Sequence, residues 1–362
     1  MRVVVKIGTS SLTDTSGAVD DSAIDKLCDE IAELRALGHE VLAVSSGAIA
    51  AGVSVLDLPS RPTDITTLQA LAAVGQPRLL ESYRRRLSHH GLVAAQALLD
   101  PHDFVDRSQY LHARRALVRL LQLGCVPIVN ENDAIASDEI RYGDNDRLAA
   151  LVAHSIAADA LVLLTDLDGL FSADPALRRD ATLIEHVGAD DPLLAIDAGR
   201  AGTSRGSGGM ASKLEAARIA SWSGVRTVIA NAARADVLPD AVDNLAVGTS
   251  FEAHRRRLGA RKLWIAFAAR VAGRVVVDAG ARRALVERGT SLLPAGVIDV
   301  TGRFVAGDTV EVVGPDAVPF ARGMVSVDHT DLRTAAGHRT TDLPAAVAHE
   351  VIHRDDLVLL SA

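Results

Sequence analysis

Two lysines and a glycine-rich run are the residues in this chain whose types and spacing could do chemistry. Residues 204–220 read SRGSGGMASKLEAARIA, so Ser207, Gly208, Gly209, Met210, Ala211, Ser212 and Lys213 lead into an apolar face at Leu214, Ala217, Ile219 and Ala220. The run looks like a phosphate-binding loop opening a helix, but it departs from G-x-x-x-x-G-K-[ST]: three residues separate Gly209 from Lys213, and leucine follows the lysine. Lys213 is expected in the first helical turn, where the macrodipole disfavours a cation. A bound anion would reverse that penalty, because helix N-termini and glycine-rich backbone amides collect phosphate oxygens. Lys6 interrupts the apolar strand VVVKI, where an unpaired ammonium is costly. It either snorkels at the strand end or reaches an anion at the sheet edge. Two lysines converging on phosphate suggest phosphoryl transfer, in which catalysis is mostly positioning and charge stabilisation.

A third element, RYGDNDRLAALVA, places Asp144, Asn145 and Asp146 before a helix. An N-cap needs one such residue. With Asp133 nearby, the surplus carboxylates could hold an ammonium group or orient the lysines. Further polar clusters close other strands: Gly8-Thr9-Ser10 after Lys6, Ser45-Ser46-Gly47, Asn130-Glu131-Asn132-Asp133 and Thr165-Asp166. Each alone is ordinary turn chemistry; their recurrence along one sheet edge is what points to a site. The histidines show no metal-ligand spacing, and no Ser-His-Asp arrangement can be made out.

The elements that must position these residues alternate. Short β-branched runs at 3–7, 40–46, 125–133, 160–169 and 226–231, with LVAAQAL at 92–98 as a sixth, are separated by helical patterns. In SAIDKLCDEIAELRALG, Ile24, Leu27, Ile31, Leu34 and Leu37 share one face and Gly38 supplies the C-cap. This alternation predicts an α/β fold with an open, mostly parallel sheet sandwiched by helices, whose ligands bind beyond the carboxyl ends of the strands. The pattern changes after residue 253. A catalytic domain is expected over 1–253, a basic linker over 254–270, a small mostly-β domain with one helix near 281–288 over 271–350, and a tail over 351–362.

Composition narrows the class. The 362 residues are 48% hydrophobic but only 3% aromatic, so Ala, Val and Leu must form the core. A net charge of −8 sets the whole-molecule field against nucleic acid and anionic membranes. The two cysteines, Cys28 and Cys125, show no pairing or metal pattern, which suits a reducing cytoplasm. No secretory leader or membrane-length apolar run is visible.

Taken in order, VVVKIGTSSL, AVSSGAIAAG, VPIVNENDAI, GDNDRLAALVA, LLTDLDGLFSADP and GSGGMASKLEAA resemble the amino acid kinase superfamily and, within it, the glutamate 5-kinases. GRVVVDAGARRALVERGTSLLPAGVIDVTGRFVAGD and ARGMVSVD are similar to a PUA domain. The resemblance implies the amino acid kinase fold, ATP with Mg²⁺, L-glutamate as acceptor, and proline as feedback inhibitor of a homo-oligomer, a dimer or tetramer. It implies that Ser207 to Lys213 clamp the triphosphate and that Lys213 and Lys6 are the catalytic lysines, held by Asp146. It also gives Gly8, Thr165 and Asp166 to the nucleotide, and Ser46, Asp133 and Asn145 to glutamate, with Asn130 and Asp144 close by. Phe171 departs from the tyrosine often found in the family.

Related kinases fit less well. An N-acetylated acceptor has no ammonium for Asp133 and Asp144, and a nucleotide acceptor would want arginines that NENDAIASDEI does not offer. Aspartokinases usually carry different regulatory domains. RNA binding through the second domain is disfavoured, since residues 271–349 hold eight arginines, no lysine, nine acidic residues and, as aromatics, only Phe304 and Phe320.

Overall fold

The computed structural model describes residues 1–14, 17–104, 107–135, 145–195, 208–255, 257–269, 271–344 and 349–360. The chain divides into two compact units, with the boundary between Arg257 and Leu258.

The first unit is the α/β layer structure that the alternating pattern predicts. Its strands are β1 (Arg2–Ile7), β2 (Glu40–Ser45), β3 (Ala94–Leu99), β4 (Val126–Glu131), β5 (Ala160–Thr165), β6 (His186–Val187), β7 (Arg226–Asn231) and β8 (Thr249–Phe251). They form one sheet in the order β3-β4-β2-β1-β5-β7-β8-β6, parallel throughout except where β8 runs against β7. Every residue of β4 and β5 is buried, as expected of strands covered on both faces. The helices are α1 (Asp21–Ala36), α2 (Ala48–Val55), α3 (Ile65–His89), α4 (Arg107–Gln122), α5 (Asn145–Ser155), α6 (Gly208–Trp222) and α7 (Val237–Val242). Ile24, Leu27, Ile31 and Leu34 bury the inner face of α1 against Val3, Val5, Val41 and Ala43. Leu37 does not join them: the helix stops at Ala36, Gly38 turns left-handed at φ 85°, and Leu37 is left 63% exposed.

Two crossings aim the strand ends. After β2, Gly47 takes φ 100° and caps α2, a conformation a side chain would resist. Helices α2 and α3 then meet backbone to backbone. A Cβ on Gly75 would lie 1.9 Å from the Ala48 carbonyl oxygen and 2.3 Å from the Gly52 nitrogen, and one on Gly52 would lie 2.1 Å from the Leu71 carbonyl. α5 is buried nearly all round, with Leu148 to Ala153 inside, and packs on β1 and α6.

The second unit is a five-stranded sheet in which β9 (Val271–Val277), β10 (Val297–Gly302), β11 (Thr309–Val313), β12 (Pro319–Met324) and β13 (Leu357–Leu359) lie in the order β10-β9-β11-β12-β13. Its core gathers Val275, Val277, Leu285, Phe304, Val310 and Val312. The unit extends further both ways than the composition shift suggests. Residues 260–268, within the expected linker, are helical and bury Leu263, Ile265 and Ala266. Residues 357–359, within the expected tail, pair with β12. Arginine density concealed the first, and brevity the second.

Candidate active site

The two lysines meet on one carboxylate. Lys6, on β1, is 4% exposed, and its Nζ lies 2.6 Å from Asp146 Oδ1. Lys213, on α6, is 7% exposed, and its Nζ lies 3.1 Å from Asp146 Oδ2. Ser212 Oγ donates to the same Oδ2 at 2.6 Å. Burial alone would raise the Asp146 carboxyl; the charges of Lys6 and Lys213, with hydrogen bonds from Lys6 and Ser212, outweigh it and hold the group below its ordinary value. Two ammonium groups against one carboxylate leave the trio positively charged. The reading of Lys6 as a strand-end snorkel therefore gives way to a buried, paired ammonium.

α6 begins at Gly208, so Lys213 stands in the second turn rather than the first. Helical side chains lean toward the N-terminus, and Lys213 Nζ accordingly comes within 3.4 Å of the Gly209 carbonyl. Met210 is buried beside it, and Ala211 is half-buried. Gly8 lies against the other lysine, since a Cβ there would sit 3.5 Å from Lys6 Nζ. Ser207 and Asp144 lie outside the described residues.

Next to Asp146 in sequence, Asn145 opens a second cluster. Its Nδ2 donates to Ser46 Oγ at 2.9 Å, to Asn130 Oδ1 at 3.0 Å and to the Ser45 carbonyl at 3.2 Å. Asn130 Nδ2 donates to Gln76 Oε1 at 2.8 Å. Ser46, Asn130, Asn145 and Gln76 are all buried. Ser45 Oγ shares a hydrogen bond with the Tyr83 hydroxyl at 2.9 Å. Asp133 follows β4 in a turn and is half-buried; desolvation pushes its carboxyl up to about 6, against the opposing charge of Arg61.

Thr165 and Asp166 end β5, and Thr165 Oγ1 donates to Asp166 Oδ1 at 3.0 Å. Both line a cavity of about 410 Å³ that also takes in Ser10, Ser11, Lys26 and Asn231. Lys6, Ser46, Asn130, Asp133, Thr165 and Asp166 thus stand at or just beyond the carboxyl ends of β1, β2, β4 and β5, while Asn145 and Asp146 open α5 and Gly208 to Lys213 open α6. Arg61 and Gln76 escaped the sequence reading. Arg61 lies in a loop with no periodic signal. For Gln76 a signal existed: it is a polar residue at a buried helical position, in step with Leu68, Leu71, Ala72 and Leu79.

The model of the amino acid kinase family matches residues 1–231. The chain belongs to the amino acid kinase family. The PUA domain model matches residues 273–346, on the second sheet. Relatives of this amino acid kinase span nearly its whole length. A glutamate 5-kinase of Mycobacterium avium (strain 104) is 46% identical over 356 residues, covering 98% of this chain and 96% of the relative. One of Burkholderia cenocepacia (strain HI2424) is 47% identical over 363 residues, covering 99% and 98%. One of Trichlorobacter lovleyi is 44% identical over 364 residues, covering 99% and 97%. Among the described residues of this kinase, no helix is long and apolar enough to cross a membrane, and no group of three or more His, Cys, Asp or Glu could hold a metal ion.

Proposed function

We propose that the chain transfers the γ-phosphoryl group of ATP to the γ-carboxylate of L-glutamate, giving ADP and γ-glutamyl phosphate on the way to proline. The observation that carries this reading is the buried clamp of Lys6 and Lys213 on Asp146, at 2.6 and 3.1 Å, next in sequence to the amide cluster of Asn145. The near full-length glutamate 5-kinase relatives support it.

The chemistry asks little of a general base. A carboxylate with a pKa of about 4.3 is already ionised at neutral pH. The difficulty is to bring an anionic oxygen to a polyanionic phosphate, and fixed cations in a dry site lower that barrier. In this reading Lys213, on the helix whose first turn holds Gly208 and Gly209, serves the transferred group from its leaving side, and Lys6, beside Gly8, is the second catalytic lysine. Asp146 and Ser212 hold the ammonium positions before substrate arrives. Thr165 and Asp166 serve the nucleoside, and Gly208 to Lys213 the phosphates. Ser46, Asn130, Asp133, Asp144 and Asn145 receive glutamate, with the acidic pair facing its ammonium. Asp146 is already taken up by two lysines, so Mg²⁺ would be carried by the nucleotide and would supply charge neutralisation there.

Proline as a feedback inhibitor, a homo-oligomeric state and a cytoplasmic location belong to the same reading. The test is ADP release with L-glutamate, L-aspartate, N-acetylglutamate and UMP side by side. Turnover confined to glutamate supports the proposal. Equal turnover of N-acetylglutamate would remove the role given to Asp133.

A further inference from the structure

The amide cluster has a fixed polarity. The Ser45 carbonyl can only accept, so the Asn145 atom 3.2 Å from it is the NH₂ group. The Glu131 backbone N–H can only donate, so the Asn130 atom 2.9 Å from it is the oxygen. Asn145 Nδ2 donates to that same oxygen, in agreement with both anchors. Asn130 then has only its NH₂ left for Gln76, whose oxygen must accept. Two backbone groups thus settle three side-chain amides that could otherwise be turned either way. At each end an atom is left over. Among the described residues, Gln76 Nε2 and Asn145 Oδ1 are buried with no hydrogen-bond partner.

An unmade buried hydrogen bond is costly, and a native site carries one for a reason. Gln76 is 8% exposed, and the residue before it, Gly75, is locked against the α2 backbone, which fixes where its Cα stands. The free atoms are one donor and one acceptor. Resting on the function proposed above, we infer that Gln76 is a specificity-determining residue whose Nε2 donates to the α-carboxylate of the amino-acid acceptor. The order of contacts sets which carboxylate it reads. The lysines meet at Asp146, its neighbour Asn145 bonds Asn130, and Asn130 bonds Gln76. Asn130, Asn145 and Asp146 thus intervene between Gln76 and the lysines in this network, and Gln76 is given the end of the acceptor that does not react. Asn145 Oδ1 is left as the complementary acceptor for a ligand N–H.

The substitution that isolates this claim is Gln76→Glu. It keeps an oxygen for Asn130 Nδ2 and replaces only the free donor, now by a like charge facing a carboxylate. The second probe is L-isoglutamine, which retains the γ-carboxylate but carries an α-carboxamide. For the wild type, isoglutamine should show a KM higher than that of glutamate by about 10- to 100-fold, the range for losing a hydrogen bond to a charged group. Gln76→Glu should raise the glutamate KM by a similar factor, leave kcat much less changed, and turn the preference toward isoglutamine. Gln76→Met, which keeps the volume, should raise the glutamate KM without that reversal. A residue that merely packs would move stability but not the preference between the two acceptors. Equal KM values for glutamate and isoglutamine in the wild type would overturn the inference even if neither variant folds. So would an unchanged preference in folded Gln76→Glu. A wild type that releases no ADP with glutamate would overturn the proposed function, and this assignment with it.

Discussion

Replacing Asp146 by asparagine changes one charge and leaves the shape. In the wild type each carboxylate oxygen has its own ammonium, Oδ1 taking Lys6 at 2.6 Å and Oδ2 taking Lys213 at 3.1 Å, with Ser212 also on Oδ2. An amide has one acceptor oxygen, so whichever way it turns, one buried lysine faces an NH₂ group. Breaking a buried pair in this manner costs about 3–5 kcal/mol, a large share of the roughly 5–15 kcal/mol that holds a domain folded. The same loss releases the lysines from the positions proposed for catalysis, so kcat should fall by about 10²-fold or more. Urea denaturation of both proteins, with and without ADP, reads the first effect. ADP should stabilise the variant more than the wild type, because its phosphates supply the missing negative charge. The pH dependence has a definite sign. The folded carboxyl is held low, so its stabilisation is fully present above the unfolded value of about 3.9 and disappears as pH falls through the lower folded value; wild type and variant converge only in acid. An unchanged denaturation midpoint together with near-wild-type kcat would refute the reasoning.

The other expectations are more local. Lys213→Ala should lower kcat by about 10² to 10³ with a far smaller change in the glutamate KM, and Lys213→Arg should rescue it poorly, because a planar fork replaces a compact ammonium; steady-state kinetics of the folded variants decides. The glutamate KM should fall as pH rises through about 6, when Asp133 becomes the carboxylate that receives the ammonium. Over the same rise, from the unfolded value of about 3.9, the free enzyme should lose stability, since burial disfavours the charged form; a pH-independent KM would remove Asp133 from the acceptor site. Gly75→Ala should destabilise by about 1–3 kcal/mol or more by forcing α2 and α3 apart, seen as a lower melting temperature. A chain ended at Arg257 should keep glutamate-dependent ADP release, because every proposed site residue lies before Leu214.

Much of this architecture is legible in the sequence because the signals are local. Apolar runs of strand length alternating with amphipathic helices predict the parallel sheet, and an ammonium in VVVKI needs a partner wherever the fold places it. Asp146 could be suspected from the surplus of cap-type residues. What could not be read is geometry between distant segments. Nothing in VGQPRLL says that Gly75 brings α3 onto α2, or that Gln76 consequently ends beside Asn130. Short β6, β8 and β13 carry too few residues for a pattern, and the arginines of 254–262 hid helical residues that bury Leu263 and Ile265. Glycines at a helix start look like loop, so the sequence puts Lys213 one turn earlier than the structure does.

Asn145 and Asp146 are consecutive residues at the start of one helix, and that helix is buried nearly all round. One faces the amide cluster, the other the lysines. Any tilt or slide of α5 therefore moves both proposed sites at once, as a rocker moves its two ends. On the function proposed above, glutamate and the nucleotide are then coupled through one helix. Whatever free energy glutamate contributes to seating this helix is felt by the nucleotide, and by thermodynamic reciprocity the nucleotide returns the same factor to glutamate. The peptide bond between two neighbouring residues is the shortest path along which such a message could travel.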